Sequence, residues 1–552
     1  MKAPRLSGPR LTVARFAAET PASSSLVRQF FWRALGIDEL AKIPERSRGD
    51  LPLGHPPIQA RKERRQPAGD LPLPSTTGWP RRASDYGAAF ATGRTTPRQV
   101  AERALAELSR FAEQRPTMNV LAASDRARTL AEAEASTRRH ADHKSLGPLD
   151  GVPFLVKDQH DVAGLPTTLG APADQPPAER DATLVARLCA AGAIFLGKTV
   201  LTEWGLSPVG ANVKFQMPHN PFDTTRAAGG SSTGSAVGVA LGLCPLATGG
   251  DGGGSIRVPA ALNGIFGIKP TFGRVSRAGD GFHESVAVVG PLGASPADLA
   301  LFLDAVAGRP DPDDELTSQA PAPPSGGFVA SARGDVRGMI IGVDEDEWRD
   351  ASADIQAAGQ AALRALERRG VALRPVRITL APHAARIGFL SIGGEAIAYQ
   401  RAHWLQHRDR MSDDLRLSFA TLSGVSALEY LDAQRLRRGL ALEVAEALRT
   451  VDALALPCTA AAAPRYDERD AEAPFADAVA LNALCRFAFL ANLTGLPAAA
   501  APVGADPAGL PIGLQLVGDA WGEATLLALL GDLEREQIAR VLPPPQAVDL
   551  LA

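Results

Sequence analysis

A chain of 552 residues, 45% hydrophobic and 22% charged, has the composition of an ordinary folded protein with ample apolar material for a large core. A net charge of −3 supplies no basic surface, so a nucleic-acid partner is not expected. Four scattered cysteines (Cys189, Cys244, Cys458, Cys485) and nine dispersed histidines without HExxH argue for reduced thiols, a cytoplasmic setting, and neither a metal nor another cofactor.

Residues 1–82 differ in composition from the rest and read as an N-terminal extension, whereas residues 83–552 contain no linker and read as one large domain. The first residues are basic (Lys2, Arg5, Arg10, Arg15) but lack the apolar run of a secretory leader. Ser25 to Ile43 predicts a short amphipathic helix with Leu26, Phe30, Phe31, Ala34 and Leu35 on one side. Such a helix either packs on the protein's own flank or docks on a partner or membrane surface. Pro44 to Arg82 is rich in proline and arginine, and its charge run Arg61-Lys62-Glu63-Arg64-Arg65 reads as a solvated loop.

Thr96-Pro97 starts a helix with an apolar stripe of Val100, Ala104, Leu105 and Leu108. His140 and His143 sit in a charged segment and are expected in solvent. Val152 to Val156 is an apolar run that carries Lys157 inward. A buried lysine loses solvation of its charged form and becomes a base near neutral pH. Leu184–Ala191 predicts a helix, Ala193–Leu196 a buried strand, Ser235–Leu243 a buried helix of small residues, and Met339–Val343 another strand. A helix through Leu363, Leu366 and Val371 follows. Ala227–Gly250 and Phe487–Ala505 are uncharged and long enough for membrane spans, but their glycines, prolines and polar residues mark them as core elements. Alternating helix and strand predicts an α/β fold: a central mixed, mostly parallel twisted sheet covered by helices on both faces.

Two serine motifs carry the chemistry. They are Gly229-Gly230-Ser231-Ser232-Thr233-Gly234 and Asp251-Gly252-Gly253-Gly254-Ser255. Glycines let a backbone approach a substrate closely and aim several N–H groups at one point, so Ser255 is a candidate nucleophile beside an oxyanion hole of Gly252, Gly253 and Gly254. Asp251 and Arg257 read as an ion pair stiffening that loop. Two further patterns mislead. Gly192 to Thr199 satisfies GxxxxGK[ST], yet its middle is apolar and reads as the strand itself. Gly230 to Gly234 satisfies GxSxG around Ser232, but a turn-rich loop, Asn220 to Arg226, precedes it instead of a strand.

The stretch from Gly147 to Thr271 resembles the amidase signature family. The matching motifs are Gly147–Pro153, Asn220–Asp223, the two serine motifs, Ser255–Pro259 and Gly267–Thr271, with weaker echoes in Asn492–Pro497 and Gly509–Leu516. The resemblance covers most of Asp85 to Ala552. It implies a serine amidohydrolase with a Ser–cis-Ser–Lys triad: Ser255 the nucleophile, Ser231 the bridging serine after a cis Gly230–Ser231 bond, and Lys157 the base. Ser232, Asp251 and Arg257 are supporting groups. The two serines stand 24 residues apart, the family's usual separation. Thr233, Gly250 and Asn263 depart from the family's common Gly, Ser/Thr and Cys. The segment from about Gly308 to Tyr430 matches least, and in this family such segments shape the substrate pocket.

The expected substrate is a small-molecule amide or ester, cleaved through an acyl-enzyme, with no membrane span; the oligomeric state is left open, a homodimer included. Three alternatives share the scaffold: the amidase subunit of a glutamine-dependent tRNA amidotransferase, a carbamate or aryl-ester hydrolase, and a non-enzymatic binding protein. Since free lysine titrates near ~10.4 and burial depresses it, activity should rise from neutral pH towards roughly 8 to 9.

Overall fold

In a computed structural model of the chain, short apolar runs bounded by glycine and proline become strands, and segments with apolar residues three and four apart become helices. The structure describes all residues except 1–4, 51–66, 68, 73–78, 172–174, 210, 211, 213, 467, 468, 471 and 472. The Arg61–Arg65 charge run lies outside the described residues. In chain order the strands are β1 (Leu6–Ser7), β2 (Leu121–Ala123), β3 (Pro153–Lys157), β4 (Ile194–Thr199), β5 (Leu246–Asp251), β6 (Phe266–Lys269) and β7 (Val288–Gly293). They continue as β8 (Ile340–Val343), β9 (Ala372–Pro375), β10 (Ala453–Pro457), β11 (Phe475–Ala476), β12 (Ala498–Ala505) and β13 (Pro511–Gly518).

Eleven of them form one sheet in the order β2-β4-β3-β5-β7-β6-β12-β13-β10-β8-β9, while β1 and β11 pair separately. The sheet is mixed, but the expectation of a mostly parallel sheet is corrected. Six of its ten pairings are antiparallel, and only β3–β4, β3–β5, β8–β9 and β8–β10 are parallel. Alternation of helix and strand signals βαβ crossovers but is blind to hairpins. The tight turn Asp506-Pro507-Ala508-Gly509, with Gly509 at φ 85°, folds β12 straight back on β13. Strands β3, β4, β5, β7, β10 and β13 are buried along their whole length, so both faces of the sheet are covered.

The expected helices form at Pro97–Glu113, Thr183–Ala190, Thr233–Ala240 and Ala353–Arg368, the last ending before Val371. Thr96 caps the first, its hydroxyl accepting from the Gln99 N–H. The first membrane-like stretch is divided between the Thr233–Ala240 helix and β5, the second between the Phe489–Thr494 helix and β12. Among the described residues no helix is long and apolar enough to cross a membrane.

The N-terminal helix spans Ser24–Leu35, shorter than expected because Gly36 turns left-handed at φ 68° and ends it. A preceding helix, Gly8–Glu19, has too weak an apolar stripe to be seen in the sequence. Both lie on the protein's own flank. Arg15 and Arg416 hold Asp413 and Glu19, the Trp32 indole donates to Glu429, and Phe31 and Leu35 face inward while Leu26 and Phe30 remain exposed.

Candidate active site

Parallel neighbours β3 and β5 end side by side, and their carboxyl ends open the crevice where α/β folds bind ligands. All five residues of β3 are buried, so Lys157 is carried into the interior at 1% exposure. Its Nζ donates to Ser231 Oγ at 2.9 Å and to the Gly250 carbonyl at 3.3 Å. Burial pushes the Lys157 ammonium down to about 7, against the opposing pull of the Asp280 and Asp251 carboxylates.

Ser231 is likewise buried, just ahead of the Thr233–Ala240 helix, and the Gly230–Ser231 peptide is cis. The Ser232 hydroxyl donates to the Ser255 carbonyl at 2.5 Å and its N–H reaches the same oxygen at 3.3 Å, lacing the two serine loops together. Ser255 is half-buried on the cavity wall, and its hydroxyl makes no hydrogen bond among the described residues. The lysine-to-serine link is thus closed and the link between the two serines is open. The three glycines are not equivalent. The Gly254 N–H, expected in the oxyanion hole, donates to Asp251 Oδ1 at 2.7 Å within the turn that leads to Ser255. The N–H groups of Gly252 and Gly253 have no partner among the described residues and border the cavity.

The pair Asp251–Arg257 is buried, with Arg257 Nη2 donating at 2.8 Å and Nε at 3.0 Å. Burial alone would raise the Asp251 carboxyl; the Arg257 guanidinium beside it wins and holds it well below the ordinary carboxylate range. Arg257 also donates to Asn492 Oδ1, Gln515 Oε1 and the Ala488 carbonyl, and Asn492 Nδ2 donates to Asp251. The two C-terminal motif echoes therefore mark residues, Asn492 and Gln515, that lock the loop between Asp251 and Arg257.

The cavity runs from this centre between apolar walls that include Phe31, Trp32, Phe389, Leu422, Phe475 and Phe489. Several of these lie in the extension and in the poorly matching segment, so no motif pointed to them. Gln159 and Asp280, which pair beside Lys157, were also missed; Gln159 stood two residues beyond the lysine, but its type alone signals nothing. In the P-loop look-alike, Lys198 is buried in β4 and bound to Asp158, Thr167 and the Pro166 carbonyl, leaving nothing for a phosphate. His143 is exposed as expected, but His140 is half-buried, its Nε2 on the Asp150 carbonyl. Among the described residues no group of three or more His, Cys, Asp or Glu is placed to hold a metal ion.

The profile of the amidase family matches residues 103–527. A fatty acid amide hydrolase of Oryza sativa subsp. indica is 34% identical over 495 residues, covering 88% of this chain and 80% of that protein. A glutamyl-tRNA(Gln) amidotransferase subunit of Anaeromyxobacter sp. (strain K) is 36% identical over 452 residues, covering 76% of this chain and 89% of that one. Among solved structures, the native peptide amidase from Stenotrophomonas maltophilia superposes with a TM-score of 0.72 at 27% identity, covering 85% of this chain and 99% of that chain.

Proposed function

The chain belongs to the amidase family, and from that premise we propose that it cleaves a carboxamide C–N bond through an acyl-enzyme on Ser255. The observation that carries this reading is a buried lysine 2.9 Å from the Ser231 hydroxyl, which borders the same cavity as Ser255. Neutral Lys157 takes the Ser231 proton as Ser231 takes that of Ser255, and Ser255 Oγ bonds to the carbonyl carbon. The Gly252 and Gly253 amides hold the oxyanion. On collapse the proton returns through Ser231 to the nitrogen, the C–N bond breaks and the amine leaves. Water then attacks the acyl ester by the same route and frees the acid. Esters, the easier acyl donors, are cleaved too.

The acyl group is apolar, because an aromatic and aliphatic cavity leads from Ser255, and a fatty acid amide hydrolase stands among the relatives. That lining suits the side chain of glutamine poorly, which disfavours an amidotransferase role despite the amidotransferase relatives. The Ser24–Leu35 helix of the extension belongs to the enzyme as a pocket wall through Phe31, Trp32 and Leu35. Its four cysteines, all free thiols, favour a reducing setting such as the cytoplasm. A fluorophosphonate should label the wild type on Ser255, and Ser255→Ala should abolish both labelling and hydrolysis of an acyl 4-nitroanilide. Turnover retained by Ser255→Ala, or glutaminase activity without anilide cleavage, would overturn the proposal.

A further inference from the structure

During acylation Lys157 becomes an ammonium in a place 1% exposed, where water cannot solvate it. The Asp280 and Asp251 carboxylates favour its charge across the intervening space, while it and the His160 imidazole disfavour each other's charge. Asp251 is already committed to Arg257 at 2.8 Å. Asp280, itself buried, forms no ion pair with lysine or arginine among the described residues. Its surroundings are Lys157, Arg277, Glu284 and His160, the last 4.0 Å away; Arg277 spends its guanidinium on the Glu284 and Ala287 carbonyls. Beyond His160 lies the closed pair Lys198–Asp158.

Asp280 is fixed to the residues that follow Lys157. The Asp161 N–H donates to the Gly279 carbonyl and the Gly281 N–H to the Gln159 carbonyl, both at 2.8 Å. Gln159 Nε2 donates to both carboxylate oxygens of Asp280, at 2.9 and 3.1 Å, and the Phe282 N–H adds a third bond. The Gln159 side chain reaches there only because position 250 has no side chain: a Cβ on Gly250 would stand 2.2 Å from Gln159 Nε2. The Gly250 carbonyl is the one that accepts from Lys157. Carboxylate, amide, glycine and lysine thus form one contiguous buried unit.

We propose that Asp280, held by Gln159 lying across Gly250, is the counter-charge of the Lys157 ammonium that forms as Ser255 is acylated. This rests on Lys157 being the base. Asp280 touches no reacting atom; it is a positioning residue acting through Lys157, as the acid of a Ser-His-Asp triad acts through histidine. Burial pushes its carboxyl up to about 7, so it gains its charge in the same range in which Lys157 loses its own. Removing that charge removes a pull that favours the ammonium. Lys157 then becomes a weaker base and deprotonates at lower pH.

The test is the pH profile of kcat/KM on an acyl 4-nitroanilide for the wild type, Asp280→Asn and Gln159→Met. Asparagine keeps the shape and can still accept from Gln159. We expect its acid limb to move down by about one pH unit and its plateau to fall about tenfold or more. Gln159→Met should shift the limb the same way by less, since a carboxylate without its donor protonates more readily. A merely structural role would lower the rate at every pH and leave the inflection in place, and that result overturns the inference. If Asp280→Asn does not fold, Gln159→Met decides by the same criterion. Lys157→Ala separates the two levels. Wild-type turnover in Lys157→Ala removes the base assignment itself, whereas a dead Lys157→Ala with an unmoved limb in Asp280→Asn removes only the role of Asp280.

Discussion

Replacing Lys157 by methionine should inactivate the protein and make it more stable. The folded chain binds the lysine proton only up to about pH 7, whereas the unfolded chain binds it up to its ordinary 10.5. Between these values stability rises with pH, because the unfolded state holds more protons. At pH 7 the charged form that must be buried or neutralised costs the wild type on the order of 4 kcal/mol. Methionine has nearly the same length and no charge to desolvate, but it forfeits the bonds to Ser231 Oγ and the Gly250 carbonyl. At about 1 kcal/mol each, these losses leave a net stabilisation of about 2 kcal/mol. Urea denaturation of both proteins at intervals between pH 7 and 10 measures the difference. The gap should be widest at pH 7 and shrink towards pH 10 as the wild type gains stability. A variant no more stable than the wild type at pH 7, or a gap that stays constant with pH, would refute the argument that Lys157 is a buried base held against its own solvation.

Ser231→Ala should retain a weak residue of activity, since water can replace the bridge imperfectly, while single-turnover acylation slows by orders of magnitude; an unchanged acylation rate would remove Ser231 from the relay. Arg257→Met strips Asp251 of its buried partner and should destabilise the protein by about 3–5 kcal/mol, read as a lower urea midpoint with an unchanged slope. Gly253→Ala places a Cβ 2.4 Å from the Phe489 ring and should depress kcat on every substrate; normal turnover would show that the loop has room to give. Chelation should leave activity unchanged, because no His, Cys, Asp or Glu cluster suited to a metal is present among the described residues.

The sequence by itself determined the elements whose signal is local. Lys157 sits behind an apolar run that carries it inward, the glycines around Ser231 and Ser255 announce close backbone approach, and Thr96-Pro97 starts a helix wherever the chain goes. These signals survive because capping, glycine conformations and burial of an apolar run are set within a few residues. Tertiary structure alone decided the properties that depend on residues far apart in the chain. It made the sheet mainly antiparallel, since strand direction follows from how connections cross, not from the pattern within each strand. It turned the Asp251 carboxylate back onto the Gly254 N–H. It also brought Asn492 and Gln515 to Arg257 and Asp280 beside Lys157, across separations of more than one hundred residues. The electrostatics of a buried charge are set by whatever packs within a few ångströms of it, and which residues those are is a property of the fold.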